Sequence, residues 1–585
     1  MGKNIVLLSD GTGNAASSPF KTNVWRVYQA LDIEPAPDGV TPQIALYDNG
    51  VGTETFKPLA LMGLALGLGV AANVKNLYTF LCRNYQAGDR IYLFGFSRGA
   101  FTVRVLSGLI LRCGVVSAPD DAELNRRVKT AYAEYKRDVA RRATANRPWL
   151  VAGRVLGGWQ RGQGTRRIEF GFDQAFPDIE FIGVWDTVDA YGMPVDELKE
   201  GIDRYVWPMT LADRQLSDRV HRACHALSLD DERPTFRPVL WNDVTVRPER
   251  LSQVWFAGVH ANVGGGYPDD GLSCTALRWM MDEAALSGLR FFDDLREEYR
   301  DQINPNGTQY DSRSGLAGYY RYGPRDVDRL CDDPDHGVKV ALPAIHDAVM
   351  ARISQRQVAY APVSFPALPR GYALMGRSPT GALEKLQPVE QPQDIADRAT
   401  DMEPVYDAIF RKRVAYLATV FSTLVLVLLP LFDWIATRKS LAVPAWIEGL
   451  GIVPGWVSPW IASFARHPAV ALIFGFIALW LFVRTSALLQ QEIAARAEYA
   501  WRRVRPNAGL VRAPARTSTD KFVRALRTSP RLVAAYRWIT LRMIPLLFAL
   551  LVALPIGLSI LPFFAPKFSR NLRRRKAYKV KLQPR

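Results

Sequence analysis

This 585-residue chain is poor in cysteine and histidine, and from residue 404 onward it is poor in acidic residues. Its five cysteines (Cys82, Cys113, Cys224, Cys274, Cys331) are scattered and odd in number, with no C-x-x-C pair. That argues against a disulfide framework or a zinc site and for a reducing compartment. No metal or organic cofactor is expected. Six histidines are available for acid–base chemistry: His221, His225, His260, His336, His346 and His467. The opening MGKNIVLLSD has no long apolar run ending at a small-residue cleavage site, so no cleavable secretory signal is expected. Apolar residues are not scarce. At 48% hydrophobic and 22% charged, the composition suits a folded protein, and the length calls for more than one structural unit.

The net charge of +17 is unevenly spread. From Pro404 onward there are 28 Lys and Arg against 6 Asp and Glu, a local +22, which leaves −5 for residues 1–403. A basic protein invites a nucleic-acid reading. Here the basic residues flank long apolar runs, as they do in membrane proteins, so lipid and not nucleic acid is the expected partner.

Residues 1–370 read as an α/β unit. The short apolar runs Asn4–Ser9, Arg90–Phe96, Glu180–Trp185 and Gln253–Val259 are strand-sized and end in Gly- or Asp-rich turns. Helical patterns lie between them, at Ala100–Cys113 and Cys274–Ser287 among others. The alternation predicts a mostly parallel sheet with helices on both faces. Residues 371–403 read as a linker. Residues 404–566 read as a helical transmembrane region with candidate spans at 414–432, 464–483 and 543–566, and 567–585 as a basic tail.

Arg411-Lys412-Arg413 places the start of the first span on the cytoplasmic side, with the first two spans forming a hairpin. Trp434, Trp446, Trp456 and Trp460 are candidate interface anchors around its loop. The third run has positive charge at both ends. Either it is a re-entrant element broken at Pro555 and Gly557, or the charge rule fails there. The expected location is the inner (cytoplasmic) membrane with the α/β unit cytoplasmic; the alternative is delivery to a target membrane.

The chemistry centres on Gly95-Phe96-Ser97-Arg98-Gly99, which follows an apolar strand and opens an apolar helix. In that setting G-x-S-x-G reads as a nucleophile elbow, against the alternative of a tight turn whose serine caps a helix. A serine nucleophile needs a base, and the base an orienting carboxylate. His260 sits just past an apolar strand and before a glycine run, where the active edge of an open α/β sheet lies. His225 competes, but lies in a helix-like stretch (His221–Leu229) and reads as a packing residue. Asp186 ends the strand Glu180–Trp185 and completes the order Ser97, Asp186, His260. Asp189, Asp230, Asp231, Asp269 and Asp270 stay open as alternatives. An oxyanion hole calls for the backbone N–H of Arg98 and a second from Gly11 or Thr12, after the first strand. The Gly11-Thr12-Gly13 loop lacks the marks of a P-loop or a dinucleotide fingerprint.

These motifs together resemble the α/β-hydrolase domain of type VI secretion phospholipase effectors. The matching pieces are Asp10-Gly11-Thr12, GFSRGA at 95–100, GVWDTV at 183–188, HALSLDDERPTFRPVLW at 225–241, VWFAGVHANVGGGY at 254–267, Ile345-His346 and Tyr360-Ala361-Pro362. The resemblance covers about residues 1–366 and implies ester hydrolysis, of lipid or phospholipid, with Ser97, His260 and Asp186 in the site. It also implies a secretion-apparatus or immunity partner of unknown identity. One departure is Asn262, where the family motif is expected to carry Asp. Two other readings remain: an esterase or thioesterase for small soluble substrates, and a membrane-bound binding module on an inactive hydrolase fold.

Overall fold

The computed structural model describes residues 2–11, 17–35, 37, 39–50, 68–145, 167–189, 214–334, 337–355, 359–366, 370–378, 383–437, 457–505 and 518–538. The third apolar run, the basic tail, Thr12 and His336 lie outside these. The chain divides into one unit of residues 1–194 and 211–527 and a second of 195–210 and 528–585. Within the second unit, residues 530–538 form a helix.

The first unit is built on a nine-stranded sheet. Its strands are β1 (Asn4–Ser9), β2 (Gln43–Asp48), β3 (Arg90–Phe96), β4 (Ile179–Trp185), β5 (Val220–Ser228), β6 (Leu251–Phe256), β7 (Ala344–His346), β8 (Ala373–Arg377) and β9 (Leu383–Leu386). Their spatial order is β9-β8-β7-β6-β5-β4-β3-β1-β2, and only β8 and β9 pair antiparallel. The register aligns Ser9 with Gly95, Phe96 with Trp185, Trp185 with Ala226 and Ser228 with Phe256. Residues just past these partners therefore emerge along one edge of the sheet.

Successive residues Ile5 to Leu8 of β1 are all fully buried, so both faces of the sheet are covered. Helices α1 (Asn23–Ala30) and α5 (Gly271–Leu286) share a core with Val6, Phe94 and Trp185 on one face. Helices α2 (Leu68–Asn84) and α3 (Arg98–Cys113) cover the other. Helix α1 starts where it does because Thr22 Oγ1 accepts from the Trp25 amide at 3.2 Å, satisfying one otherwise orphaned donor. Between β6 and α5 lies a short helix, α4 (His260–Gly264).

Three expectations are corrected. His221–Leu229 is not helical: it is β5, in the middle of the sheet. Its small residues (Ala223, Cys224, Ala226) carry little strand preference of their own. Burial on both faces between β4 and β6 decides the matter. The strand expected at Gln253–Val259 ends at Phe256. Residues 371–403 are not a linker: they supply β8, β9 and the start of α6 (Pro392–Thr437). Glu390, in that stretch, is buried and paired with Arg398 at 2.8 Å, which anchors α6.

Helix α6 changes character along its 46 residues. Met402, Val405 and Ala408 are buried against Ile493 and Ala497 of α9 (Ser486–Ala500). Farther on, Phe421, Leu424, Val427 and Leu431 are exposed, although the apolar stretch has a mean hydropathy of 2.3. The second apolar stretch runs through α8 (Pro468–Trp480), a π-helical turn at 481–485, and α9; it has a mean hydropathy of 2.0. It does not extend back across Arg466 and His467, because His467 adopts φ −124° and ψ 60° and separates α8 from α7 (Ser458–Arg466). Both helices are long and apolar enough to cross a membrane. They touch through Phe421 and Phe474, whose rings lie 6.3 Å apart, and through His467 Nε2 and Asp433 Oδ1 at 2.8 Å.

Trp501, just past α9, ties these helices to the α/β core. It is fully buried, its indole N–H donates to the Pro362 carbonyl at 2.9 Å, and its ring meets Phe365 edge-on at 4.9 Å. Trp501→Ala is expected to cost about 3–5 kcal/mol, read as a lowered melting temperature of the detergent-solubilised protein.

Candidate active site

Ser97 sits between β3 and α3 with φ 58° and ψ −122°, a conformation that non-glycine residues rarely adopt. The flanking glycines make this turn possible. A Cβ at Gly95 would lie 2.5 Å from the Gly99 carbonyl oxygen, and one at Gly99 would lie 2.1 Å from that of Ser9. The Ser97 amide donates to the Trp185 carbonyl at 3.0 Å, which fixes the elbow to the neighbouring strand. Ser97 is nearly buried.

Asp186 follows β4, the strand beside β3, and is fully buried at φ 41°. Its Oδ2 lies 2.5 Å from His260 Nδ1. His260 opens α4 against aromatic walls: its ring centroid is 4.7 Å from that of Phe96 and 5.1 Å from that of Phe236. Its backbone amide donates to Asp231 Oδ2 at 3.2 Å. With Nδ1 facing a carboxylate, Nε2 is the nitrogen left to act on a substrate or nucleophile. That atom is buried and has no hydrogen-bond partner among the described residues. The structure thus joins Asp186 to His260 directly. It places Ser97 beside Phe96, the ring that packs on His260, without a Ser97–His260 hydrogen bond; such bonds often tighten only when substrate is bound.

The carboxylate of Asp186 is held by more than histidine. Arg325 reaches it with both terminal nitrogens at 2.7 Å, and Ser228 donates through its amide at 3.0 Å and its hydroxyl at 3.2 Å. Arg325 also donates to the carbonyls of Ser228 and Phe236. Burial alone would push the Asp186 carboxyl up, but the Arg325 guanidinium and His260 hold it well below the usual carboxylate range. Neither Arg325 nor Ser228 could be singled out from the sequence. Arg325 lies 139 residues from Asp186, and no local pattern marks it.

The other candidates fall elsewhere. His225, on β5, accepts from the Thr187 amide through Nε2 at 3.1 Å. Burial, then the charge of Arg104, pushes its imidazole down to about 3. His221 is half exposed between Asp178 and Glu180. His346 stacks on Phe256 and accepts from the Ala348 amide. His467 belongs to the apolar helices. Asp230 binds the Gly258 amide and the Tyr360 hydroxyl, and its carboxyl is pushed up to about 6 by burial. Asp231 pairs with Arg233, Asp270 with Arg26, and Asp269 accepts from the Thr308 amide.

Of the expected oxyanion donors, Arg98 follows Ser97 as the first residue of α3. The Gly11 amide is engaged by Asp10 Oδ1 at 2.6 Å. Asn262 donates to the Thr308 carbonyl at 3.0 Å and accepts from the Val259 amide at 3.3 Å. An aspartate there could not make the first of these bonds.

A cavity of about 300 Å³ lies beside this cluster, between Glu232, residues 311–322 and the helical segments 412–419 and 481–490; neither Ser97 nor His260 lines it. Residues 319–325 reach both regions. Tyr319 stacks on Phe482 at 5.2 Å and its carbonyl accepts from the Tyr416 hydroxyl at 2.9 Å. The next residue, Tyr320, meets the edge of Phe236 at 5.8 Å, and Arg325 ends on Asp186.

A parallel sheet with a strained serine at one strand end, and a buried Asp–His pair along the same edge, defines an α/β-hydrolase-like domain. More narrowly, residues 3–283 match the family described as T6SS, Phospholipase effector Tle1-like, catalytic domain. An uncharacterized protein of Saccharomyces cerevisiae, YEL023C, is 28% identical over 270 residues, which are 43% of this chain and 34% of that protein. The chain therefore spans about a third of that relative's length. Among solved structures, the Tle1 effector bound to the VgrG spike from the Type 6 secretion system aligns at 12% identity and a TM-score of 0.30, covering 54% of this chain and 78% of that one. An uncharacterized protein from Pseudomonas aeruginosa aligns at 16% identity and a TM-score of 0.30, covering 85% and 67%.

Arg325→Ala would leave the Asp186 charge buried without its main partner, and is expected to cost about 3–5 kcal/mol of stability, with Arg325→Lys intermediate, as read by thermal unfolding. A second expectation concerns pH. The folded state holds His225 neutral down to about pH 3, against an ordinary value of 6.5. The unfolded chain thus binds the extra proton first, and this contribution to stability is complete above pH 6.5 and lost as pH falls toward 3. Between pH 7 and pH 5, His225→Gln should flatten the acid loss of unfolding free energy by about 2 kcal/mol, measured by chemical denaturation.

Proposed function

We propose that this chain is a membrane-associated serine hydrolase that cleaves acyl esters of lipids, with Ser97, His260 and Asp186 as its triad. The observation that carries the reading is the buried 2.5 Å contact between Asp186 and His260 Nδ1, on the sheet edge where Ser97 occupies a strained elbow. Ser97 Oγ attacks the ester carbonyl, and His260 Nε2 takes its proton and later returns it to the leaving alcohol. Asp186 fixes the tautomer that leaves Nε2 free and balances the imidazolium that forms. The Arg98 amide, at the start of α3, faces the developing oxyanion. A second amide comes from Gly11, if it is released from Asp10, or from Thr12 beyond it. Water then releases the acyl group.

The two exposed apolar helices support a bilayer as the place of action. A side chain such as Leu472, 73% exposed, or Phe476, 65% exposed, is costly in water and at home in lipid. A hydrolase held at the bilayer meets lipid esters at high effective concentration. In this reading α6 and α8 form a hairpin in the inner membrane, with the α/β domain on the cytoplasmic side.

The test is labelling by a fluorophosphonate probe, followed by phospholipid vesicles offered to detergent-solubilised wild type and Ser97→Ala. Wild type should label and release fatty acid, and Ser97→Ala should do neither while keeping its melting temperature. Full esterase activity in a folded Ser97→Ala protein would end the reading. Labelling without lipid turnover would move it to small soluble esters.

A further inference from the structure

Among the described residues, most buried guanidinium groups have a carboxylate to face. Arg325 has Asp186, Arg278 has Asp282, Arg398 has Glu390 and Arg496 has Asp520. Arg98 differs. It is 7% exposed, its Nη1 is buried without a hydrogen-bond partner, and no carboxylate among the described residues pairs with it. Burial has pushed its guanidinium down to about 10, offset in part by the neighbouring Tyr320. Tyr320 packs on Phe236, which packs on His260. A cation with no carboxylate partner among the described residues therefore lies in the protein interior, next to Ser97 in the chain and near Tyr320, whose ring packs on Phe236.

A buried charge without a counter-charge is unfavourable unless a ligand supplies one. Arg233, close to the same aromatic rings, is already neutralised by Asp231, so among the described residues Arg98 is the cation left without a carboxylate there. A guanidinium is weakly hydrated and suited to two-pronged pairing with phosphate oxygens. Because Arg98 directly follows Ser97 at the start of α3, an anion held by its side chain would lie on the same substrate as the scissile ester. A glycerophospholipid meets that requirement, because its phosphodiester and acyl esters share one glycerol. A neutral acylglycerol has no anion, and the phosphates of a coenzyme A thioester lie far from the thioester carbon.

We propose that the Arg98 side chain binds the phosphodiester of a glycerophospholipid while its backbone amide serves the oxyanion, making Arg98 the residue that selects phospholipid over neutral lipid. The proposal rests on the lipid-ester reading for its substrate, but not for its binding site.

Two measurements test it on the full chain in detergent. The first compares kcat/KM for phosphatidylcholine and for diacylglycerol of the same acyl chains in mixed micelles. Arg98→Gln keeps the backbone amide, and should lower the ratio of the two values by about tenfold or more, with Arg98→Lys between it and wild type. The second is calorimetric titration with sn-glycero-3-phosphocholine, which needs no turnover. Wild type should bind it and Arg98→Gln should bind at least about tenfold more weakly. A ratio unmoved by Arg98→Gln, with both substrates falling together, overturns the proposal, as does a wild type that does not bind the phosphodiester. Binding that depends on Arg98 in a protein that cleaves no lipid would keep the anion site and remove the hydrolase reading.

Discussion

A fully buried carboxylate is the constraint around which the site is organised. Asp186 cannot be ionised in the interior without compensation, and the fold brings that compensation from three distant places. Ser228 comes from the next strand, His260 from the helix after β6, and Arg325 from the segment beyond the sheet's first six strands. Each interaction fixes a different element. Together they hold the imidazole at one angle, with Nδ1 on the acid and Nε2 turned away. Arg325 sets Asp186 apart from an acid balanced by histidine alone: its charge is met whether or not the imidazole is protonated.

The same edge of the sheet supplies the strained serine. Parallel pairing in register brings Ser97 out level with Asp186, with Asp10 one residue back, level with Phe96. The backbone carbonyls of Ser9 and Gly99 come so close to the elbow that only glycine fits at 99 and 95. The G-x-S-x-G pattern is therefore a packing requirement as much as a chemical one. The covered aromatic setting, with Phe96 and Phe236 against His260, lowers the local dielectric and strengthens every charge placed there. An unpaired Arg98 in that setting is more consequential than it would be at a surface.

The apolar helices are continuous with the α/β unit. Helix α6 begins among buried residues that include the Glu390–Arg398 pair and ends in exposed leucines and phenylalanines. The stretch from Tyr319 to Arg325 touches Phe482 and Tyr416 at one end and Asp186 at the other. A bilayer around the helices and a substrate at the site would thus meet through seven residues of chain.

Much of this was legible in the sequence. Near-continuous apolar runs ending in Gly or Asp turns marked β1, β3, β4 and β6, and the strand–G-x-S-x-G–helix order marked the elbow. Asp186 and His260 stood out because both follow such strands, but Asp189, Asp230, Asp231, Asp269 and Asp270 stayed open beside Asp186. The two apolar helices were visible from length and charge alone. What stayed hidden depended on contacts across long sequence separations. His221–Leu229 has no strand pattern of its own and becomes β5 only because β4 and β6 flank it. Residues 371–403 look like a linker because β8 and β9 are short and polar at the sheet's edge, where one side needs no apolar cover. Arg325, Ser228 and the unpaired state of Arg98 have no local signature at all. Local periodicity and turn chemistry determined where the elements lie and which residues stand at their ends. Only the tertiary structure decided which charges are buried and which are met, because burial and ion pairing are properties of residues brought together from distant parts of the chain.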